Sequence, residues 1–268
     1  MGSRPGLILN SGDDTPDSAD IAAGGSLLRA MLTGFAAHSR DDGRIRYASL
    51  EVSPEFARAA AAARALRVTS LRDAERSDLL AFWINVYNAL VLHAVVALRI
   101  RRTVREVRNF FGRVRYQVGL FVVSLDDIEH GILRGNRRRP FPPFRPFGRA
   151  DARRELVLDE VDPRVHFALS CGARSCPPVA VYTAAAIDAQ LGQAAANFVN
   201  QDVVVAPNGR VSCSRLFKWY AGDFGGASGV RAFLMRHLDA GPVRDAVAIT
   251  PPPLFHRYRW ELRYLAAD

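Results

Sequence analysis

His166, Cys171 and Cys176 stand close together in the run Arg164-Val-His-Phe-Ala-Leu-Ser-Cys-Gly-Ala-Arg-Ser-Cys-Pro-Pro, which holds two of the three cysteines of the chain. A thiol becomes a useful nucleophile when its pKa is lowered or when a base stands within about 3 Å, and that base needs a third group to orient it. The sequence offers Cys171 and Cys176 as thiols, His130 and His166 as bases, and Glu129, Asn85 or Asn88 as orienting groups. The opposing reading is that a cysteine at a strand end is a small hydrophobe and that His166 is a hydrogen-bonded core residue. Both readings stand at this level.

The elements that must position these groups narrow the pairing. Residues 165–171 alternate as a buried strand would, placing His166, Ala168 and Ser170 on one side and Phe167, Leu169 and Cys171 on the other. A base for Cys171 must then come from elsewhere, and His130 is the preferred partner. His130 lies in Ser124-Leu-Asp-Asp-Ile-Glu-His-Gly-Ile-Leu-Arg, a short helix that Ser124 and Asp127 open as an approximate capping box. Leu125, Ile128, Ile132 and Leu133 form its inward face, with Glu129 and His130 near the rim and Arg134 at the end as a substrate-binding candidate.

Residues 79–96 are apolar almost all round, as suits a central helix packed on every side. Asn85 and Asn88 are three apart and share a face of it. An unsatisfied buried amide costs on the order of 1–3 kcal/mol, so this stripe either clamps a neighbouring loop or faces a site. Asn88 and Trp83 join Arg134 as substrate-binding candidates.

Along the rest of the chain, residues 1–20 read as a loose polar arm, followed by helices at 21–37 and 54–66 and a third opened by Ser70 or Asp73. Asn109-Phe-Phe-Gly begins a β region with a hairpin turning near Gly119. Residues 156–158 and 165–171 are expected strands, 183–200 and 230–238 helices, Pro207-Asn-Gly a hairpin turn, and 257–265 an edge strand. There is no internal repeat or linker. The expectation is one α+β domain over 21–268, with a central buried helix packed on an antiparallel sheet.

Composition sets the outer limits. At 49% hydrophobic and 24% charged, the 268 residues have the make-up of an ordinary globular protein. No run of about 18 uncharged apolar residues offers a membrane span. Three cysteines in a long chain suggest free thiols in a reducing compartment, so the expected localisation is cytoplasmic, unless a leader precedes the sequence. The net charge of +9 is local: residues 99–154 hold 15 arginines against 5 acidic residues, and the remainder is about neutral. Without interleaved aromatics or a nucleic-acid-binding signature, nucleic acid is a minor reading beside a solvated arginine face. His166, Cys171 and Cys176 have no second Cys/His pair, so no metal and no cofactor is expected. A redox Cys171/Cys176 disulfide stays open.

Four stretches together carry a resemblance: Ala81-Phe-Trp-Ile-Asn-Val-Tyr-Asn-Ala-Leu, the helix at 124–134, His166-Phe-Ala-Leu-Ser-Cys-Gly-Ala-Arg-Ser-Cys-Pro-Pro, and Phe217-Lys-Trp-Tyr-Ala-Gly-Asp-Phe. They resemble the family called domain of unknown function 547, over a motif core of about 71–224. That family has been linked to the papain-like cysteine peptidases and transglutaminases, so the resemblance implies a divergent papain-like core. The family's closing Tyr-Asp-Trp-Ser-Leu-Asn-like strand is here Tyr258-Arg-Trp-Glu-Leu-Arg, with Arg259 and Arg263 at the Asp and Asn, and Cys213 stands where Ser is common. The expected function is a cysteine-dependent hydrolase or acyl transferase acting on a peptide or amide bond. The alternatives are a catalytically inactive ligand- or protein-binding module on the same scaffold, and an arginine-rich binder of nucleic acid or an anionic surface.

Overall fold

A helix without a polar face can exist only where neighbours cover all of it, and the arrangement around Arg76–Ala97 follows from that requirement. The computed structural model describes residues 6–12, 19–39, 44–251 and 253–263. In chain order these form β1 (Leu7–Ile8), α1 (Ile21–Ala36), α2 (Tyr47–Glu51), α3 (Pro54–Ala65), α4 (Arg76–Ala97), α5 (Phe110–Arg113), β2 (Val114–Val118) and β3 (Phe121–Ser124). After a long irregular stretch come α6 (Ile187–Asp202), β4 (Val204–Val205), β5 (Val211–Cys213), α7 (Arg215–Trp219), α8 (Gly226–His237), α9 (Pro242–Ile249) and β6 (Leu254–Phe255).

Every residue of α4 from Leu80 to Val96 is buried. By length and composition α4 could cross a membrane, but 94% of its most apolar window is buried inside the protein, as in a core helix. The expected caps Ser70 and Asp73 do not serve; Glu75 precedes the helix and makes no side-chain cap bond. A missing cap costs about 1 kcal/mol, little beside the burial of so many large side chains. α1 and α3 pack beside it. Gly24 of α1 lies so close to Thr69 and Phe82 that a Cβ there would collide with the first and crowd the second. Both flanking helices start as their sequences direct: Asp20 accepts from the Ala23 N–H, and Ser53 accepts from the Phe56 N–H with Pro54 in the first turn.

The α+β class holds, and the sheet resolves into two small mixed ones. β2 pairs antiparallel with β3 and parallel with β1; β5 pairs antiparallel with β4 and parallel with β6. Both expected hairpins form, at Gly119 and at Gly209, each with positive φ. The N-terminal arm is partly built in. Leu7 and Ile8 pair with β2, and the buried Asn10 amide spans from the Ala63 carbonyl to the backbone of Gln117; residues 1–5 and 13–18 lie outside the described residues.

Several expected strands are instead turns. Residues 163–167 form a 3₁₀ turn, with Asp162 accepting from the Arg164 N–H, and residues 152–156 form another. Asn109-Phe-Phe-Gly leads into the short helix α5. The segment expected as an edge strand at 257–265 runs beside residues 172–175, through Arg174 N–H to Glu261 O, Ser175 N–H to Arg259 O and Arg263 N–H to Gly172 O, and forms a single antiparallel bridge, Ala173–Leu262, in place of a strand; residues beyond 263 lie outside the described residues. With no strand at 165–171, the alternation that set His166 and Cys171 on opposite sides does not apply.

Two apolar cores result. One surrounds α4; the other is built on Phe167, Phe217, Phe224 and Phe233 under α6 and α8. Segment 163–178 runs between them.

Candidate active site

The helix expected at 124–134 starts as its sequence directs and then widens. Ser124 N–H and Oγ donate to Asp127 Oδ2, while Asp127 N–H donates back to Ser124 Oγ. Asp127–Leu133 is a π-helix, continued by bonds from Arg134 N–H to Glu129 O and Asn136 N–H to Gly131 O. π turns are rare and often mark functional sites. Leu125, Ile128, Ile132 and Leu133 are buried inward, as expected. Gly131 is required by contact: a Cβ there would collide with the edge of the Phe147 ring.

On its other face the π-helix presents Asp126, Glu129, His130 and Arg134, all near the second core. Arg134 is 4% exposed. Its guanidinium grips Asp223 through Nε to Oδ2 at 2.5 Å and Nη2 to Oδ1 at 3.1 Å, and Nη1 donates to His130 Nδ1 at 2.9 Å. A guanidinium can only donate, so Nδ1 of His130 accepts and its proton sits on Nε2, 3.7 Å from Asp126 Oδ1. Burial lowers the His130 pKa to about 4, and Arg134 and Arg139 add to that against the pull of Glu129.

Asp223 has a second partner. Its Oδ2 lies 2.9 Å from Nε2 of His166, which must carry the proton that the carboxylate accepts and leaves Nδ1 as the other ring nitrogen. Burial would raise the Asp223 pKa, but His166 and Arg134 hold it well below the usual carboxylate range. The His166 ring stacks on Tyr220 at 3.9 Å and 18°. Tyr220 donates its hydroxyl to Glu129 Oε1 at 2.5 Å, and Tyr87 of α4 donates to Oε2 at 3.3 Å. Burial opposes ionisation of Glu129, and His130, the Tyr220 hydroxyl, His166 and Arg134 outweigh it, so the carboxyl sits below its ordinary range. Asp126 moves the other way, up to about 7, because its desolvation exceeds the help of Arg139.

The sulfurs sit on a loop tied to two elements. The Asn88 amide donates to Ala168 O and accepts from the Ser170 N–H; the Asn85 amide donates to Tyr182 O and accepts from the Tyr182 N–H. Both asparagines are thus backbone clamps that hold residues 168–182 against α4. From the other side, Arg263 Nη2 donates to the carbonyls of Arg174 and Cys176. The Cys171 and Cys176 sulfurs lie 2.7 Å apart. Cys176 Sγ accepts from the Cys171 N–H at 3.1 Å and lies 2.9 Å from the Tyr258 hydroxyl, which is 3.6 Å from Cys171 Sγ. Burial resists ionisation of Cys176, but the donors from Cys171, Tyr258 and the backbone overcome it and lower its pKa. Cys171 is driven up, first by its hydrogen bond to Cys176 and then by burial. The two thiols titrate as a coupled pair, with the tendency to ionise favoured at Cys176, which accepts the Cys171 N–H.

Both groups border one cavity of about 500 Å³. Asp126, Glu129, His130 and His166 supply its polar side, Cys171 and Cys176 its sulfurs, and Phe111, Trp219, Tyr258 and Trp260 an aromatic wall. Pro140 and Phe141, from the proline- and arginine-rich loop, lie at its edge, with Phe141 86% exposed. Cys176 and Pro177 also border a second cavity of about 300 Å³.

The structure therefore brings Glu129, His130, His166, Cys171 and Cys176 to one cavity and leaves the other candidates behind it. Asn85 has both amide ends committed to Tyr182 and does not orient a base; Asn88 has both committed to 168–170 and does not face a ligand. Trp83 is fully buried against Phe82. Arg134 positions Asp223 and His130 from behind. Among the described residues neither sulfur has a histidine as hydrogen-bond partner, and no group of three or more metal-ligating side chains occurs. Sequence reasoning missed Asp223, Tyr220, Tyr87 and Tyr258 as site residues. Asp223 and Tyr220 stood inside the fourth motif, and their proximity to the π-helix was the missing fact.

The class defined here is an α+β protein with a thiol pair and a buried carboxylate–imidazole network on one cavity. Residues 71–199 match the model of the family described as protein of unknown function, DUF547, a stretch that holds three of the four motifs and ends before the fourth at 217–224. No curated protein and no solved structure matches the chain.

Proposed function

We propose that this protein is a cysteine-dependent hydrolase or acyl transferase acting on a peptide or amide bond, with Cys176 as nucleophile and the His166–Asp223 pair as base and orienting group. The observation that carries the reading is the environment of Cys176, whose sulfur accepts from the Cys171 N–H and has the Tyr258 hydroxyl at hydrogen-bond distance. Both contacts favour the anion on this sulfur. His166 borders the same cavity with a carboxylate on Nε2, the arrangement in which an imidazole is fixed in one tautomer with its other nitrogen ready to take a proton. His130 suits that role less well, since Arg134 occupies its Nδ1 and burial depresses its basicity. In this reading Cys171 keeps its proton and donates to Cys176. A thiol, an imidazole and a carboxylate in this order fit the papain-like relationship that the family resemblance implies.

The test is a panel of activated esters and anilides followed by intact mass and peptide mapping. An acyl adduct on Cys176 is expected, with turnover reduced about a hundredfold or more in His166→Gln, the scale of lost general-base catalysis. Equal, slow labelling of all three cysteines by iodoacetamide at neutral pH, with no acyl adduct, overturns the reading.

The lack of a histidine hydrogen bond to either sulfur favours a second reading, a ligand- or protein-binding module without chemistry. It predicts that Cys176→Ala keeps any ligand-induced thermal stabilisation intact. The arginine-rich reading is weakened by the pairing of Arg134, Arg137, Arg139 and Arg153 with Asp223, Asp126 and Asp127; binding that falls steeply with salt would support it.

A further inference from the structure

Acyl transfer needs one sulfur, and this site has two in contact. We propose that Cys176 and Cys171 form a peroxide-reducing pair, in which Cys176 is oxidised by a hydroperoxide carrying an apolar organic group and Cys171 resolves the product to a Cys171–Cys176 disulfide. Three observations support it. The sulfurs are 2.7 Å apart, so the second thiol is already at the first when oxidation occurs. The electron-rich sulfur is Cys176, because the Cys171 N–H can only donate and it donates to Cys176. The cavity that both cysteines border has an aromatic wall of Phe111, Trp219 and Trp260, suited to an apolar arm.

The chemistry balances in two steps. The Cys176 thiolate attacks the terminal oxygen of R–O–O–H; an S–O bond forms, the O–O bond breaks, and RO⁻ leaves and takes a proton to become the alcohol. Cys176 loses two electrons and becomes the sulfenic acid, while the peroxide is reduced. The Tyr258 hydroxyl, 2.9 Å from this sulfur, is placed to donate to the departing oxygen. The Cys171 sulfur then attacks the Cys176 sulfur; the S–S bond forms, the S–O bond breaks, and the hydroxide leaves with the Cys171 proton as water. Two thiols and ROOH thus give a disulfide, ROH and water. An external thiol reductant returns the pair to its starting state. Cys213, on β5, does not line this cavity and takes no part.

The experiment uses the reduced full-length chain mixed with stoichiometric cumene hydroperoxide or hydrogen peroxide, quenched with an alkylating agent and mapped by peptide mass. Expected are loss of two hydrogens, a Cys171–Cys176 linkage with Cys213 alkylated, and consumption of cumene hydroperoxide at least about tenfold faster than by free cysteine at the same pH, as a thiol with a lowered pKa predicts. Hydrogen peroxide should react more slowly than cumene hydroperoxide. Cys171→Ser should stop at a sulfenic acid on residue 176 that dimedone traps, Cys176→Ser should fall to the free-cysteine rate, and Cys213→Ser should behave as wild type. Should Cys171→Ser fail to fold, Tyr258→Phe provides the second arm, with a slower first step and unchanged linkage. Reaction no faster than free cysteine, linkage through Cys213 or between chains, or unimpaired consumption by Cys176→Ser would overturn the proposal. Peroxide reduction without any acyl adduct would uphold this inference while removing the acyl-transfer reading.

Discussion

Asp223 and His166, 57 residues apart in sequence, meet with Oδ2 and Nε2 at 2.9 Å, and the same carboxylate is gripped by Arg134 from the π-helix. One acid therefore fixes an imidazole tautomer and neutralises a buried guanidinium.

Asp223→Asn should cost roughly 3–5 kcal/mol at neutral pH, the price of leaving a buried charge without its partner, read as a drop in the urea midpoint. The folded-state pKa of Asp223 is depressed, so its contribution is complete above the unfolded value near 4 and is lost as pH falls through the folded one. The gap between wild type and variant should accordingly narrow in acid. An equal gap at all pH values would show that Asp223 is not ionised in the fold.

His130 sets a different pH window. Its pKa falls from an unfolded value near 6.5 to about 4 in the folded protein, so between those values the unfolded chain binds more protons and stability rises with pH. Asp126, raised to about 7, works against it over the same range. His130→Asn keeps an acceptor for Arg134 and removes the titration. Between about pH 4.5 and 7 wild type should gain on the order of 2 kcal/mol relative to this variant. Parallel pH profiles would show that His130 is not held neutral.

The asparagine clamps are testable one by one. Asn88→Leu leaves Ala168 O and Ser170 N–H without their partner and should cost about 1–3 kcal/mol, as should Asn85→Leu at Tyr182. Asn88→Leu should also change the alkylation rate of Cys176, because the loop it releases carries both thiols. Loss of stability with unchanged thiol reactivity would separate the clamp from the site.

Gly131→Ala should destabilise by about 1–3 kcal/mol, the usual cost of overpacking, because its methyl meets the Phe147 ring. Adding Phe147→Leu should recover part of that loss in thermal unfolding. A neutral Gly131→Ala would mean that the π-helix shifts freely.

What was legible in the sequence was what local chemistry dictates. The all-round apolar run at 79–96 became the buried centre, Ser124 and Asp127 capped each other, and Gly119 and Gly209 turned their hairpins. The choice between clamp and site for Asn85 and Asn88 was settled only by distant partners, at Tyr182 and at Ala168 with Ser170. Segment 165–171 alternates like a strand, yet Asp162 and Pro163 start a 3₁₀ turn, and among the described residues no strand pairs with it. That one difference removed the reason for separating His166 from the sulfurs. The β1–β2 and β5–β6 pairs are parallel and bridge long stretches of chain, so neither strand of such a pair carries a local sign of its mate. Asp223 lay in a recognised motif, but its charge acquires meaning only beside Arg134.

The seating of Tyr258 against the Cys176 sulfur bears on how the protein can be divided. A fragment cut at the limits of the family match, 71–199, would contain both thiols, His130 and His166, and would lack Tyr220, Asp223, Tyr258 and the Arg263 tether. His166 would have no carboxylate and the Cys176 sulfur no hydroxyl. The stretch matched by the family model is thus smaller than the set of residues that assembles the cavity.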